Sequence, residues 1–337
     1  MAREILFLEA ADKIRKVFSL LNLTHKKRVV LISTTAFNDN PNIYFASAKE
    51  SSSTYCVHFI VSDSSWLPEI ITNAKLHKSC MFLDAEIKGE YKSLIQDVLF
   101  IDEGLKFHTI KPNDYTCQAV EAIADFYFFN PHQLRVYIFG IGNLGKKIAL
   151  KLHEKGASVH LVSRDKEKAK KNKLLLEQIS NREIAIKAED YKSVSITGRV
   201  LLLGCTSGYH SILPMFVKNI CQSSIVVDVG QRNIPQDALQ MLNEKGIKVL
   251  SLFASDFLLS QIEATFDMQS KISSLNIRIL ARGKGRLIEP GLIGMKGDIL
   301  VNDVNNVTKI IGVCDGNGDV LSDVEADIYI KKAGITI

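Results

Sequence analysis

Two rhythms of apolar residues alternate along this 337-residue chain. Short runs rich in Val, Ile and Leu predict strands, and segments whose apolar positions recur every three or four residues predict helices. Residues 1–23 set Glu4, Glu9 and Asp12 among apolar residues at helical spacing, which predicts an amphipathic helix and not a cleaved leader. Residues 27–34 and 54–63 predict buried strands, residues 64–76 a helix opened by serines, residues 79–87 a strand and residues 89–100 a helix. A polar turn over 109–116 then precedes a helix over 117–129.

From Leu134 the alternation becomes more regular. Strands are predicted over 135–140, 157–163, 199–207, 223–230 and 246–252, with helices over 145–156 and 166–179 among the segments between them. Such an order is what a doubly wound parallel sheet requires. A helix over 253–275 follows, and beyond it a glycine-punctuated, β-prone stretch. The fold expected is therefore α/β: two α/β domains, the second a Rossmann-type sheet, plus a small β-rich appendage. Boundaries are placed at 1–130, 131–253, 254–275 for a closing helix, and 276–337.

Composition narrows the class. A hydrophobic share of 46% and a charged share of 23% are ordinary for a soluble globular chain, and no apolar run is long enough to span a bilayer. No membrane association and a cytoplasmic location are expected. The six cysteines form no CxxC pair and have no His at ligand spacing, so neither a metal centre nor a disulfide framework is expected. The net charge of +5 is concentrated around residues 163–173, without the aromatic interleaving of a nucleic-acid surface. No nucleic-acid partner is expected.

Candidate chemistry enters with Gly140, Gly142 and Gly145, which stand as G-x-G-x-x-G between a predicted strand and a predicted helix. The first glycine permits a tight turn, the second lets backbone approach a pyrophosphate, and the third lets the helix pack close to the sheet. Ile141, Asn143 and Leu144 complete the turn, and amides at the helix start face the phosphates. A carboxylate after the second strand would bond the adenosine ribose; here Ser163 and Arg164 occupy that place, with Lys168 close by. A hydroxyl and a guanidinium suit a phosphate monoester, so NADP is expected over NAD. Asp165 is the residue that could reverse this expectation.

These residues resemble the NADP-binding half of the shikimate dehydrogenase family, and glutamyl-tRNA reductases share a related nucleotide domain. Cys205, Thr206, Ser207 and Gly208 resemble the family's loop after the fourth strand, with Gly204 and Cys205 replacing its Asn-Ala pair, and Val229 and Gly230 follow the next strand. Leu258, Gln261 and Phe266 match a closing helix, which implies that Gln261 binds substrate. Pro41 and Ala46 match the family's substrate motif while Tyr44 and Phe45 replace its His-Asn pair, which leaves Tyr44 a substrate-binding candidate.

The resemblance also implies a catalytic lysine and aspartate. Asp114 matches the aspartate; Lys88 lies two residues before the lysine register and Lys92 two after it. The chemistry expected is hydride transfer between nicotinamide and a small hydroxy or keto substrate, with the lysine moving the proton. A homodimer is a candidate assembly. Two alternatives stay open: a non-catalytic nucleotide-binding regulator, and an aldehyde-forming reductase using Cys56 as a thiol nucleophile. The Asp315–Asp319 segment imitates a calcium loop, but Val320 and Ala326 occupy positions that need Gly and Glu, so a hairpin turn is expected. Residues 281–286 are expected to be a mobile connector.

Overall fold

The computed structural model describes residues 2–22, 24–35, 43–87, 93–180, 182, 186–207, 210–252, 255–275, 279–282 and 285–334. The chain divides into two compact units, Met1–Gln261 and Ile262–Ile337. In the first unit, α1 (Ala2–Leu21) precedes β1 (Lys27–Thr34), β2 (Ile43–Glu50), β3 (Thr54–Val61), α2 (Leu67–Leu76), β4 (Cys80–Asp84), α3 (Leu94–Ile101) and β5 (Phe107–Ile110). The strands form one sheet in the order β2-β3-β1-β4-β5, parallel except for the antiparallel edge strand β2. Phe18 from α1, Leu67 and Ile70 from α2 and Val98 from α3 bury against Val30, Ile32, Val57 and Leu83 of this sheet.

Next come α4 (Pro112–Tyr127), β6 (Arg135–Phe139), α5 (Asn143–Glu154), β7 (Ser158–Ser163), α6 (Lys166–Ser180) and β8 (Lys187–Asp190). They are followed by β9 (Thr197–Gly198), β10 (Leu201–Gly204), α7 (Pro214–Val217), β11 (Asn219–Ile220), β12 (Ile225–Asp228), α8 (Gln236–Glu244), β13 (Lys248–Ser251) and α9 (Ser255–Leu275). Six of these strands make an all-parallel sheet in the order β13-β12-β10-β6-β7-β8. That order reverses direction between β6 and β10, and a doubly wound sheet opens its ligand crevice at such a switch point. Alternation along β6 sends Val136 and Ile138 to a face covered by α4, α5 and α6, and Tyr137 and Phe139 to a face covered by α7 and α8. Fully burying each such aliphatic side chain contributes about 1.5–3 kcal/mol.

Several sequence expectations need correction. Residues 107–110, assigned partly to a polar turn, form edge strand β5; the strand has four residues and buries one, so its pattern is faint. The following helix begins at Pro112 and not at residue 117, because Pro is favoured in a first helical turn where its missing N–H costs nothing. Strands β2 and β8 were not expected, and both lie at sheet edges with mixed exposure. The predicted helix over 89–100 corresponds to α3, capped by Ser93 Oγ, which accepts from Gln96 N at 3.1 Å; residues 89–92 lie outside the described residues.

The second unit carries a four-stranded sheet, β14 (Ile279–Arg282), β15 (Gly285–Ile288), β16 (Ile299–Val301) and β17 (Ile310–Val313), closed by α10 (Asp323–Ala333). The Asp315–Asp319 segment is a tight turn in which Asp315 Oδ1 accepts Asn317 N at 2.7 Å and Asp319 N at 3.1 Å. The hairpin beyond it extends only to a Cys314–Val320 bridge before the chain turns helical. Arg286, expected in a mobile connector, is a β15 residue whose Nε donates to the buried Asp298 carboxylate at 2.9 Å.

Candidate functional site

A cleft of about 810 Å³ opens at the carboxyl ends of β6, β7 and β10. Gly140, Ile141, Gly142, Asn143 and Leu144 line it from one side, Ser163, Arg164, Asp165 and Lys168 from another, and Cys205, Thr206 and Ser207 from a third. The expected turn, cation and loop therefore converge. Each glycine has a separate steric reason. Gly140 has φ +99°, and a Cβ there would lie 2.8 Å from backbone of Cys205 and Thr206. A Cβ on Gly145 would lie 2.0 Å from the Gly140 carbonyl oxygen, so the third glycine permits the closeness of helix and turn. Gly142 differs: a Cβ there meets nothing within 4 Å and would project into the cleft. No side chain caps α5, whose first residue follows Gly142 directly. Uncapped amides and a glycine facing open space are what a bound pyrophosphate needs, so the residues present fit a dinucleotide.

The end beyond β7 is cationic. Arg164 and Lys168 are exposed on the cleft wall. Asp165 lines the same wall, but its Oδ1 accepts Lys168 N at 2.9 Å, capping α6. Ser163 Oγ accepts Asp165 N at 3.1 Å and holds the loop in place. Tyr191, which sequence reading missed, packs edge-on against Phe139 and Phe216 with ring centroids at 6.2 and 5.0 Å and forms the floor beside Arg164. Burial pushes its hydroxyl pKa up, with the Arg164 charge opposing.

The loop after β10 hangs on Asn233, a fully buried residue absent from the sequence expectations. Its Oδ1 accepts Thr206 N at 3.2 Å, Thr206 Oγ1 at 2.5 Å and Ser211 Oγ at 2.6 Å, while its Nδ2 donates to Asp228 Oδ1 at 2.9 Å. Gly204 leaves the room Asn233 occupies, since a Cβ would fall 2.5 Å from Asn233 Cβ. Val229 and Gly230 support the loop from behind, both amides donating to Gly204 O at 2.9 and 2.8 Å. His210, Gln231 and Arg232 all have positive φ, between 59° and 63°, and His210 lines the cleft. Gly208 lies outside the described residues.

Asp114 is joined to a lysine that the sequence reading did not name. Lys88 and Lys92 lie outside the described residues. Lys147, on α5, donates to Asp114 Oδ1 at 2.6 Å and to Glu86 Oε1 at 3.0 Å, and Glu86 Oε2 accepts Asn113 N at 3.0 Å. Burial opposes the Lys147 charge, yet its hydrogen bonds to both carboxylates and their negative charge outweigh it and hold the ammonium above its ordinary range. The only sequence signal was a second lysine after the glycine turn, which reads as a solvated helix face. Asn113 and Ile87 line the cleft, whereas Asp114, Gln261 and Tyr44 are not among its described lining residues. Tyr44 is half exposed on edge strand β2, and Gln261 is partly buried on α9. Pro41 lies outside the described residues. Cys56 is buried in β3, and desolvation pushes its thiol up to about 12.

Among the described residues no helix is long and apolar enough to cross a membrane. No curated protein matches the sequence. The profile of the ketopantoate reductase PanE/ApbA family matches residues 136–210, the segment from β6 through the loop after β10. Solved structures with a similar course are mainly shikimate and quinate dehydrogenases and related nucleotide-binding dehydrogenases. A shikimate dehydrogenase in complex with NADP+ is 12% identical, with 67% of this chain and 84% of that one covered and a TM-score of 0.40. Quinate dehydrogenase from Corynebacterium glutamicum in complex with NAD is 10% identical over 66% and 87%, with a TM-score of 0.39. L-tryptophan dehydrogenase from Nostoc punctiforme is 14% identical over 66% and 69%, with a TM-score of 0.37. By its strand order the second sheet is Rossmann-type, and its β6-to-β10 segment resembles that of a reductase family.

Proposed function

We propose that the chain is an NADP-dependent oxidoreductase that moves a hydride between nicotinamide and a small hydroxy or keto substrate, in the manner of a shikimate dehydrogenase. The observation that carries this reading is the convergence of Gly142, Arg164 and Lys168 on one cleft. The turn at Gly140–Gly145 would hold the pyrophosphate, and Ser163, Arg164 and Lys168 the adenosine 2′-phosphate, with Thr206 and Ser207 on the facing wall. The coenzyme, when bound, supplies the hydride chemistry. The protein has to orient the substrate and handle one proton. Lys88, with Lys92 as substitute, is the proposed proton carrier and Asp114 its carboxylate partner, while Lys147 holds Asp114 in place. Lys147 itself is a poor proton donor, because its two carboxylates keep it charged.

Arg164→Ala tests the cofactor assignment. Loss of one exposed charge-assisted contact to a phosphate removes about 1–2 kcal/mol, roughly 5- to 30-fold in affinity. NADPH titration by fluorescence should show that loss while NADH binding stays level. Equal NADPH binding by the variant removes the case for NADP. A second reading, a nucleotide-binding regulator without turnover, is favoured by Asp114 being tied to Lys147 away from the cleft lining. It predicts NADPH binding without oxidation across a panel of keto acids and cyclic ketones, in wild type and Asp114→Asn alike.

A further inference from the structure

Beside the coenzyme cleft lies a second cavity of about 500 Å³, in the same unit, bounded by α5, α6 and the segments after β4 and β5. Its walls are of two kinds. Ile87, Leu175 and Ile179 turn toward it while 71%, 47% and 55% exposed, an unusual convergence of large apolar side chains left in contact with water. The same lining carries Lys111, Lys146 and Lys147. Lys147 is neutralised by Glu86 and Asp114, and both Glu86 oxygens are already engaged, by Lys147 and by Asn113 N. Among the described residues, Lys111 and Lys146 have no ion pair or side-chain hydrogen bond. The cavity lining therefore combines two such cations with exposed apolar side chains.

We propose that this cavity binds a small amphipathic carboxylate, an anionic head on an aromatic or branched apolar body. The carboxylate would sit between Lys111 and Lys146, and the apolar body would cover Ile87, Leu175 and Ile179. A purely polar dianion would leave the apolar wall wet, and a neutral apolar compound would leave the cations unanswered. Ile87, Asn113 and Asn143 belong to both cavities, so an occupant adjoins the coenzyme cleft. The inference rests on the proposed function only in taking the neighbouring cleft as a coenzyme site; the binding claim itself needs no turnover.

Ligand-observed NMR titration of the full chain with 3-phenylpropanoate, 3-phenylpropanamide and succinate tests it. The carboxylate is expected to bind, and the amide and succinate to bind at least about tenfold more weakly. The double variants Lys111→Gln/Lys146→Gln and Leu175→Asn/Ile179→Asn should each weaken 3-phenylpropanoate by about tenfold. Absence of binding, equal binding of the amide, or unchanged affinity in both variants overturns the proposal. Circular dichroism reports whether the variants fold; should one fail to, the carboxylate-to-amide ratio on the wild-type chain decides. NADPH titration of the same wild-type sample separates the two ideas, since failure to bind NADPH removes the proposed function and leaves the carboxylate result standing.

Discussion

Gly142→Ala and Gly145→Ala differ by one methyl group each, yet should separate binding from folding. At Gly142 the backbone has φ −72° and ψ −168°, which alanine adopts, and the added Cβ touches nothing within 4 Å. Reduced freedom of the unfolded chain would stabilise the variant by about 0.4–1 kcal/mol, and alanine's poor capping would cost about as much, so the net change should stay within about 1 kcal/mol. Coenzyme binding should suffer heavily. A methyl in the cradle keeps a phosphate from hydrogen-bond range of the α5 amides; losing two charge-assisted bonds costs about 3 kcal/mol or more, over 100-fold in Kd.

Gly145→Ala puts its Cβ 2.0 Å from Gly140 O, a backbone atom that moves only with the turn, so it should lose at least about 3 kcal/mol of stability as well as binding. Urea unfolding of the apo proteins, paired with NADPH fluorescence titration, reads both quantities. Gly142→Ala binding NADPH within about threefold of wild type would refute the pyrophosphate reading of the turn, because the lost contacts could not be that few.

Three further outcomes follow from named contacts. Asn233→Ala removes four hydrogen bonds that a fully buried amide makes to Thr206, Ser211 and Asp228, a loss of about 3 kcal/mol or more; unfolding within about 1 kcal/mol of wild type would show the hub to be incidental. Burial depresses the pKa of His160, with the hydrogen-bonded Glu189 opposing, so the folded chain resists protonation there. Its stability contribution is full above the unfolded value near 6.5 and is lost as pH falls through the lower folded value; thermal melts between pH 7.5 and 5 should show this decline, and His160→Phe should flatten it. Cys56→Ala should keep whatever reductase activity the chain has, and a thiol-directed alkylating agent at neutral pH should leave Cys56 unlabelled in the native protein. Loss of activity in that variant would restore the thiol-nucleophile reading, which burial now opposes.

Much of the nucleotide half could be read from residue order because its signals are local. A G-x-G-x-x-G turn is dictated by sterics within six residues, and strands buried on both faces announce themselves as apolar runs such as Leu201–Leu203. The cation after β7 also sits a short, fixed distance from the turn. Edge strands β2, β5 and β8 were harder to read, since an element that buries only part of one face needs no strong pattern. The start of α10 reads in sequence as a hairpin arm because Val320 and Leu321 continue the β-prone texture up to the Ser322 cap.

By itself, the amino-acid order determined the second parallel sheet and the character of its glycine turn, for these depend on periodicity and on residues close together in the chain. Only the tertiary structure decided which distant groups meet: Asn233 beneath the Thr206 loop, Lys147 between Glu86 and Asp114, and lysines and apolar side chains in the lining of one second cavity. Those contacts join segments 27 to 61 residues or more apart, and a side chain at such a remove leaves no periodic trace of its partner. Which carboxylate an ammonium meets is set by how sheets and helices pack, a long-range outcome of burial that no short window of residues contains.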